Sequence, residues 1–446
     1  MIIYADNPVI KYVLNTFLSQ FPILKQEKKF NIFYDKKSVK NGIVILKGKK
    51  CKKILEFNNE SIPIYHTNSS KDIKGNVIAC YKDGESAITF DKSNNIIYMR
   101  ADILKTSFLM LSRMHENETP KDSLNRFQEK YVLNDDVSRP LVNEYFNLLY
   151  KLALQLIGNE FGQNKKISHW PNNAPYAVCL THDVDNVYKW WPKKFLSYIL
   201  KKRKISEVVH SIGKGEYWNF EKIINIEGKY GFKSTFFFLT NKRDLQPRYN
   251  INRLRKIIKD LDEKGWEIGL HTGFYSYNYM NKILSEKKKI ERILSHRIYG
   301  VRNHYLRFEL PKSWVLHSKA GFLYDTTIGF RKKPGFRSGY CHPYYPYDFR
   351  TNKTINILEL PMIIMDSALF SLKKPKTELN CLLDKVKKFH GLMVLNWHQC
   401  SFDEKDYPER FEMYKNILKR FKSDNVYVDT CRNVTEYFKK NNLNTD

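Results

Sequence analysis

The sequence predicts an α/β protein in which a parallel sheet, open or closed as a barrel, begins near residue 175 after a smaller N-terminal α/β region. Short apolar runs alternate with helical patterns over roughly the last 260 residues, which is typical of a parallel sheet. The stretch 162–175 is rich in Asn, Lys and Pro, as in a linker. Several of the apolar runs beyond it end in His, Asp or Arg, and such residues suit the active face of a (β/α) barrel.

The N-terminal region combines turn-bounded apolar runs with amphipathic helical patterns. Strands are expected at 30–34, 42–46, 77–81, 86–90 and 95–99, and helices at 8–18, 102–113 and 140–157. Beyond the linker, strands are expected at 176–181, 234–240, 267–271, 300–304, 355–361, 391–398 and 426–429. Helices are expected between them at 220–230, 251–264, 281–297, 311–320, 376–389 and 408–421. We therefore expect two domains, 1–165 and 175–446.

Composition and charge indicate which partners, metal sites and cellular location to expect. The net charge of +29 favours an anionic partner or membrane surface, but no nucleic-acid motif accompanies it, so nucleic acid is not expected. Seven Cys without a CxxC pair argue against a disulfide framework and a Cys-ligated zinc site. The first residues lack the pattern of a signal peptide, and no long apolar span follows. We expect a cytoplasmic protein, with possible peripheral membrane contact through its positive charge.

Polar residues fall where the predicted strands end. The relevant segments are Thr181–Asp185, His271, Arg302–His304 and Asn396–His398. In a (β/α) barrel the active site lies at the carboxyl ends of the strands, so residues far apart in sequence converge there. These segments are therefore the candidate functional residues.

Two carboxylates two residues apart on an extended segment point to the same side. Asp183 and Asp185 would repel each other unless a cation or a shared proton separates them, although a turn with a capping Asp is the alternative interpretation. His271 suits a metal as a neutral imidazole, or it is structural. Arg302 suits a partner for Asp183, and His398 suits a proton donor or a cap on the core.

Together these residue types fit metal-assisted hydrolysis of an amide. A metal polarises the acyl oxygen and lowers the pKa of water, a carboxylate takes a proton, and an imidazole protonates the departing amine. A serine hydrolase is not indicated, because the Gly-x-Ser-x-Gly motif is absent.

At this point the sequence resembles the NodB-homology polysaccharide deacetylases (carbohydrate esterase family 4) from Tyr176 to about Phe438. The resemblance rests on four short motifs in order: Leu180–Asp185, Gly269–Thr272, Gly300–Tyr305 and Leu395–His398. It implies a distorted (β/α)7–8 barrel.

The resemblance also implies a role for each matched residue. Asp183 would be the catalytic base, and Arg302 would orient it. Asp185 and His271 would bind a divalent metal, with zinc expected. His398 would be the catalytic acid.

A subgroup with an N-terminal α/β domain of unknown function is more similar still. The segments that resemble it are Asp102–Arg113, His304–Phe308 and Gly335–Gly339. This likeness implies a function in bacterial surface-polysaccharide biosynthesis.

The sequence departs from the family at the second motif, which is normally His-x-x-x-His with both imidazoles on the metal. Here the residue four after His271 is Tyr275. Three explanations are open. His304 supplies the third ligand; water, Ser276 or another side chain completes a weaker site; or the metal is lost and the protein only binds glycan.

The expected function is removal of N-acetyl groups from an amino sugar in an N-acetylated glycan or sugar precursor. The alternatives are an inactive glycan-binding protein on the same fold, or a hydrolase of another non-peptide C–N amide. The aromatic stretches Phe274–Tyr279 and Tyr340–Tyr347 suit stacking on sugar faces or ordinary loop packing.

Overall fold

The computed structural model describes residues 3–26, 31–36, 39–69, 75–158, 169–187, 217–242, 244–245 and 249–443. Over these residues the chain is a mixed α/β protein with two large sheets and one two-stranded sheet. Residues 162–168 of the predicted linker lie outside the described residues, so the division into 1–165 and 175–446 stays a prediction. No helix among the described residues has the length and apolarity to cross a membrane.

The first sheet contains eight strands, five of which match the predicted positions. They are Ile3–Tyr4 (β1), Asn31–Tyr34 (β2), Gly42–Ile45 (β3), Lys49–Phe57 (β4), Glu60–Thr67 (β5), Asn76–Tyr81 (β6), Ser86–Asp91 (β7) and Ile96–Met99 (β8). Their order is β1-β2-β3-β8-β7-β6-β4-β5. The hairpin of β4 and β5 was not predicted, because β4 opens with four exposed residues, three of them Lys, that break the apolar alternation.

Three predicted helices accompany this sheet, and the structure confirms each of them. They are Pro8–Gln20 (α1), Ile103–Ser112 (α2) and Leu141–Ile157 (α3). The side chain of Asn7 accepts a hydrogen bond from the backbone N–H of Val9 at the start of α1. Asp102 caps α2 in the same way, through the N–H of Lys105. Such caps satisfy N–H groups that have no partner within the helix.

The second sheet is parallel, as predicted from the alternating pattern. Its strands are Ala177–Val184 (β9), Ser234–Leu239 (β10), Glu267–Thr272 (β11), Gly300–Asn303 (β12), Tyr324–Asp325 (β13), Leu358–Glu359 (β16), Met362–Met365 (β17), Leu392–Asn396 (β18) and Tyr427–Val428 (β19). The short antiparallel pair is Tyr347–Asp348 (β14) and Lys353–Thr354 (β15). Every residue of β9, β10 and β18 is buried, as expected for central strands covered on both faces.

The order of the second sheet shows how strongly it curls. The strands run β16-β13-β12-β11-β10-β9-β18-β17, and β19 pairs with the start of β9. β16 and β17 stand at opposite ends of this order, yet only Leu360 and Pro361 separate them in the chain. The two edges of the sheet therefore lie close together. The predicted strand 355–361 contains only β16. Pro361, which lacks a donor for the ladder, comes before β17, which was not predicted.

Eight α-helices accompany the second sheet among the described residues, six of them at the predicted places. They are Phe220–Gly228 (α4), Arg255–Glu263 (α5), Met280–Leu294 (α6), Lys312–Lys319 (α7), Asp366–Leu369 (α8), Pro375–Lys388 (α9), Pro408–Ser423 (α10) and Cys431–Leu443 (α11). A 3₁₀ turn over Ile251–Leu254 leads into α5, so the predicted helix 251–264 begins with a tighter turn. The short α8 and the final α11 were not predicted.

The aromatic stretch Tyr340–Tyr347 packs into the core of the first sheet. Tyr340, Tyr344 and Tyr347 are almost fully buried there, among side chains of α1, α2 and α3. Their proposed role in stacking on sugar is therefore wrong, and the loop-packing interpretation is correct. Burial of such large rings against the helices contributes the apolar contact that joins this loop to the first sheet.

A buried ion network joins the segment after α2 to the loop after β13. Glu116 accepts hydrogen bonds from Arg113 Nε at 3.0 Å and from Arg337 Nε and Nη2 at 3.0 and 2.8 Å. Burial raises the pKa of Glu116, but the two guanidinium groups outweigh burial and lower that pKa to about 2. The carboxylate therefore stays ionised and balances part of two buried positive charges.

Removing this carboxylate should destabilise the fold. We expect Glu116→Gln to lower the free energy of unfolding by about 3–5 kcal/mol, because two buried guanidinium groups lose their counter-charge. Denaturant unfolding measures the change. Glu412→Gln, which removes the exposed partner of Lys415, is the matched control and should have almost no effect. Equal midpoints for the two variants would contradict the role given to Glu116.

Candidate metal centre

The polar residues predicted at strand ends converge in one cavity. Asp183, Asp185, His271, His304 and His398 all line a cavity of about 410 Å³ at the carboxyl ends of β9, β11, β12 and β18. Parallel pairing creates this proximity, since it brings the ends of neighbouring strands to one edge of the sheet. The location is the one expected for the functional site of a parallel α/β sheet.

Three of these residues form a group that could hold a metal ion. One ligand atom each from Asp185, His271 and His304 lies within 4.8 Å of the others. Asp185 Oδ1 is 3.3 Å from His271 Nε2 and 3.7 Å from His304 Nε2. His304 thus lies where a third protein ligand of the metal is needed beside Asp185 and His271. Ser276 is directed elsewhere, because its hydroxyl donates to Glu286 at 2.6 Å.

The hydrogen bonds of the two imidazoles suit metal binding. His271 Nδ1 lies 2.9 Å from the backbone oxygen of Arg302, which can only accept, so Nδ1 carries the proton. His304 Nδ1 lies 2.6 Å from Asp244 Oδ2. In the neutral form of each imidazole, Nε2 then has the lone pair and faces Asp185. Metal-binding histidines are commonly oriented in this way by a carbonyl or a carboxylate.

The chain turns sharply after His304. Tyr305 has φ 58° and ψ 15°, and Leu306 has φ 51°, so two consecutive non-glycine residues adopt the left-handed conformation. That conformation costs roughly 1–2 kcal/mol per residue. Asn303 supports the turn, because its amide nitrogen donates to the backbone oxygen of Arg307 at 3.0 Å. Strain of this kind is often retained at functional sites.

Asp183 lies beside the possible metal ligands and is held on both oxygens. Arg302 Nη1 donates to Oδ1 at 2.8 Å, and Asn396 Nδ2 donates to Oδ2 at 2.8 Å. Burial raises the pKa of the Asp183 carboxyl, but Arg302 and His271 outweigh burial and lower it. The carboxylate is therefore ionised and oriented. Asn396 lies in the motif Leu395–His398, but the sequence predicted no role for it.

His398 is held by a second buried carboxylate. His398 Nδ1 lies 2.5 Å from Asp366 Oδ1, while Nε2 lies 4.0 Å from Asp185 Oδ2. Burial lowers the pKa of His398, but Asp366 outweighs burial and raises it to about 9. The pKa of Asp366 is lowered to about 2, against the effect of burial, chiefly by His398. The imidazole is thus protonated at neutral pH and presents an N–H to the cavity.

Asp244 and Asp366 were missed by sequence reasoning. Asp244 is five residues beyond the end of β10, and Asp366 directly follows β17, a strand that was not predicted. An acidic residue shortly after a buried strand was the available signal. Asp244 contacts His304 and Asp366 contacts His398, so each carboxylate affects the cavity through a histidine and has no sequence motif of its own.

Comparison with known proteins finds one family model and several solved structures that are similar to this chain. Residues 1–157 match the model of a family of unknown function, DUF7033. A Mycobacterium smegmatis structure described as a polysaccharide deacetylase has 18% identity and a TM-score of 0.43, covering 61% of this chain and 92% of that one. PuuE allantoinase has 15% identity and a TM-score of 0.43 over 63% and 96%. Peptidoglycan deacetylase PdaC of Bacillus subtilis has 14% identity and a TM-score of 0.34 over 60% and 94%. No curated protein sequence matches the chain.

Metal content tests this centre directly. We expect zinc-incubated protein to bind the metal with near-unit stoichiometry, and Asp185→Ala, His271→Ala and His304→Ala to lose it, because each removes one ligand. Elemental analysis after gel filtration measures the content. His296→Ala is the matched control, since this exposed imidazole pairs with Asp262 away from the cavity. Full metal retention in His304→Ala would remove His304 from the centre.

A variant of Asp244, which contacts His304, tests the same centre through its affinity for the metal. We expect Asp244→Asn to weaken metal affinity about 10–100-fold, as found when the residues that orient metal-binding histidines are changed. Competition with a chromogenic chelator measures the affinity. Wild-type affinity in this variant would contradict the orienting role of Asp244.

Proposed function

We propose that this protein is a metal-dependent hydrolase that removes an N-acetyl group from an amino sugar. The supporting observation is the arrangement in one cavity of three chemical parts. The group Asp185, His271 and His304 fits a metal, Asp183 is an oriented carboxylate, and His398 is a protonated imidazole. Amide hydrolysis needs these three parts: an electrophilic ion, a base and an acid.

The roles follow from the hydrogen bonds of each residue. A divalent metal bound by Asp185, His271 and His304 would supply Lewis acidity to the acyl carbonyl and to water. Asp183 accepts the proton of the attacking water, and Arg302 and Asn396 hold its oxygens in place. His398 then donates its Nε2 proton to the departing amine. General acid–base steps of this kind contribute roughly 10²–10⁴-fold each.

The ligand set supports zinc as the metal. One carboxylate and two imidazoles form a three-ligand set of a type found in catalytic zinc sites, which keep a further position open for water or substrate. His304 takes the place of the histidine absent four residues after His271. The proposal of an inactive glycan-binding protein rested on that absence, so the placement of His304 favours an active enzyme.

The surroundings of the cavity support a sugar substrate. Tyr275 and Tyr279, in the loop after β11, have half-exposed rings, with 50% and 56% of their surface accessible. Exposed aromatic rings suit the apolar face of a sugar, and Tyr275 is connected to the cavity lining through Phe274, whose ring contacts both Tyr275 and Tyr305. Phe274 and Tyr277 are buried, so only part of the predicted stretch is available for stacking.

The proposal also covers the barrel, the two domains, the location of the enzyme in the cell and its substrate. If β16 and β17 count as one interrupted strand and β19, which pairs only with β9, is not counted, the second sheet becomes a seven-stranded (β/α) barrel. This barrel would form a domain over 175–446, preceded by a domain over 1–165. We place the enzyme in the cytoplasm, with its charge of +29 favouring contact with anionic membranes. Its substrate would be a glycan or sugar precursor in bacterial surface-polysaccharide biosynthesis.

Asp183→Asn tests the base. We expect turnover to fall by at least about 10²-fold while metal content stays unchanged, because the amide cannot accept the proton of water. Acetate release from N-acetylglucosamine oligomers and elemental analysis measure the two quantities. Asp384→Asn, at an exposed carboxylate on α9, is the control. Wild-type acetate release by Asp183→Asn would exclude the base role.

Asp366→Asn tests the acid through pH. His398 must be protonated to donate, so activity falls as pH rises through its pKa, which Asp366 raises. Without that carboxylate the imidazolium is less stable, and the alkaline limb of kcat should move to lower pH by about one to three units. A pH–rate profile of wild type and variant measures this shift. An unmoved alkaline limb would assign it to another group.

A further inference from the structure

Two arginine side chains line the same cavity as the candidate metal centre. Arg126 comes from the segment between α2 and α3, and Arg331 comes from the loop after β13. Arg126 also lies close to the centre itself, since its Nη1 is 3.5 Å from the backbone oxygen of Tyr305. The Tyr305 ring packs against the ring of His304 with 4.3 Å between centroids. One residue thus separates this guanidinium from a possible metal ligand.

The two guanidinium groups share one carboxylate. Asp122 Oδ2 is 2.9 Å from Arg126 Nη2 and 3.4 Å from Arg331 Nη2. Glu129 is the other nearby acid, and its oxygen is 3.9 Å from Arg331 Nε. Burial lowers the pKa of Arg331, and the positive charge of Arg126 lowers it further. Glu129 and Asp122 raise that pKa but do not fully offset these two effects, so the acids balance the charge of Arg331 incompletely.

Arg139 shows what a close, two-pronged arginine–carboxylate pair looks like in this protein. Its Nε and Nη2 donate to Glu144 at 3.0 and 2.7 Å, and Nη2 also donates to the backbone oxygen of Ser61. By contrast, the Arg331 guanidinium makes one hydrogen bond among the described residues, to the backbone oxygen of Phe127 at 3.3 Å, and its carboxylate partners are 3.4 and 3.9 Å away. Arg331 therefore keeps free N–H groups and part of its charge beside the cavity.

We propose that Arg126 and Arg331 bind an anionic oxygen group, a carboxylate or a phosphate, on the acetamido sugar or on the unit joined to it. The identity of the sugar rests on the proposed function. Guanidinium forks match both groups through paired, charge-assisted hydrogen bonds. The net charge of +29 would attract such a substrate to the protein. The segment before the second sheet would then select the substrate that reaches the metal centre.

Binding without turnover tests this proposal. The full-length Asp183→Asn protein, with zinc, is titrated in a calorimeter with N-acetylglucosamine, N-acetylglucosamine 1-phosphate and N-acetylmuramic acid. We expect at least one charged sugar to bind about tenfold or more tightly than the neutral sugar, as new hydrogen bonds to charged groups allow. The tighter of the two charged sugars identifies phosphate or carboxylate as the preferred group.

Variants of the arginines locate the effect. Arg331→Gln and Arg126→Gln should each remove about tenfold of the affinity for the charged sugar and leave the neutral sugar within about twofold. Arg139→Gln is the matched control and should change neither. Asp122→Asn should strengthen binding of the charged sugar, because it releases both guanidinium groups. A purely structural ion pair would not produce that gain.

Three results would overturn the proposal. The charged sugars bind no more tightly than the neutral one; the arginine variants keep the extra affinity; or zinc removal abolishes that affinity in protein whose arginines are intact, which places the anion on the metal. Acetate release by the protein with Asp183 intact is measured separately. Arginine-dependent binding without acetate release would support the anion site and contradict the deacetylase, while acetate release without charge selectivity would do the reverse.

Discussion

One buried residue, Arg302, connects the parts of the candidate site. Its guanidinium donates to Asp183, to the Thr181 hydroxyl and to the backbone oxygen of Thr326, and it is fully buried. Its own backbone oxygen accepts the proton of His271 Nδ1. A buried guanidinium is costly unless paired, so the position of Asp183 and the place of Arg302 in β12 stabilise each other. The orientation of the proposed base and the tautomer of a possible metal ligand thus both depend on Arg302.

Much of the second sheet could be predicted because parallel strands are buried on both faces and appear as continuous apolar runs. A polar residue at the end of such a run is conspicuous, which is how Asp183, His271, Arg302 and His398 were found. Short strands could not be predicted in this way. β13 has two residues and β17 follows a proline, so neither forms a run long enough to recognise. Asp366, which directly follows β17, was missed with it.

Residues that act through another residue were the harder part of the site. Asp244 holds His304 from a loop, and the contact depends on how that loop folds over the end of the sheet. Periodicity identifies a strand or a helix, but it contains no information on which loops meet. The stretch Tyr340–Tyr347 was ambiguous for the same reason. Its aromatic composition suits a sugar or a protein core equally, and only the packed structure assigns it to the core.

The same limit applies to the segment between α2 and α3, where irregular structure brings Arg126 to the cavity beside Arg331. No sequence motif marks it. Its contribution depends on ion pairs with Asp122 and on contact with Tyr305, which follows a possible metal ligand. The first 140 residues therefore contribute Arg126 to the cavity at the second sheet, through contacts that only the folded chain shows.

The third possible ligand follows from the geometry of strands. Side chains two residues apart on a strand point to the same side. Asp183 and Asp185 are so placed at the end of β9, and Arg302 and His304 are so placed at the end of β12. The first members form the ion pair of 2.8 Å, and the second members approach to 3.7 Å across the possible metal position. Once Arg302 is paired with Asp183, a histidine two residues later is directed at Asp185, with His271 on β11 between them. An imidazole four residues after His271 is then unnecessary. The register of the sheet, and not a flexible loop, thus sets the distances between these side chains. The left-handed turn at Tyr305 leads the chain away directly after His304.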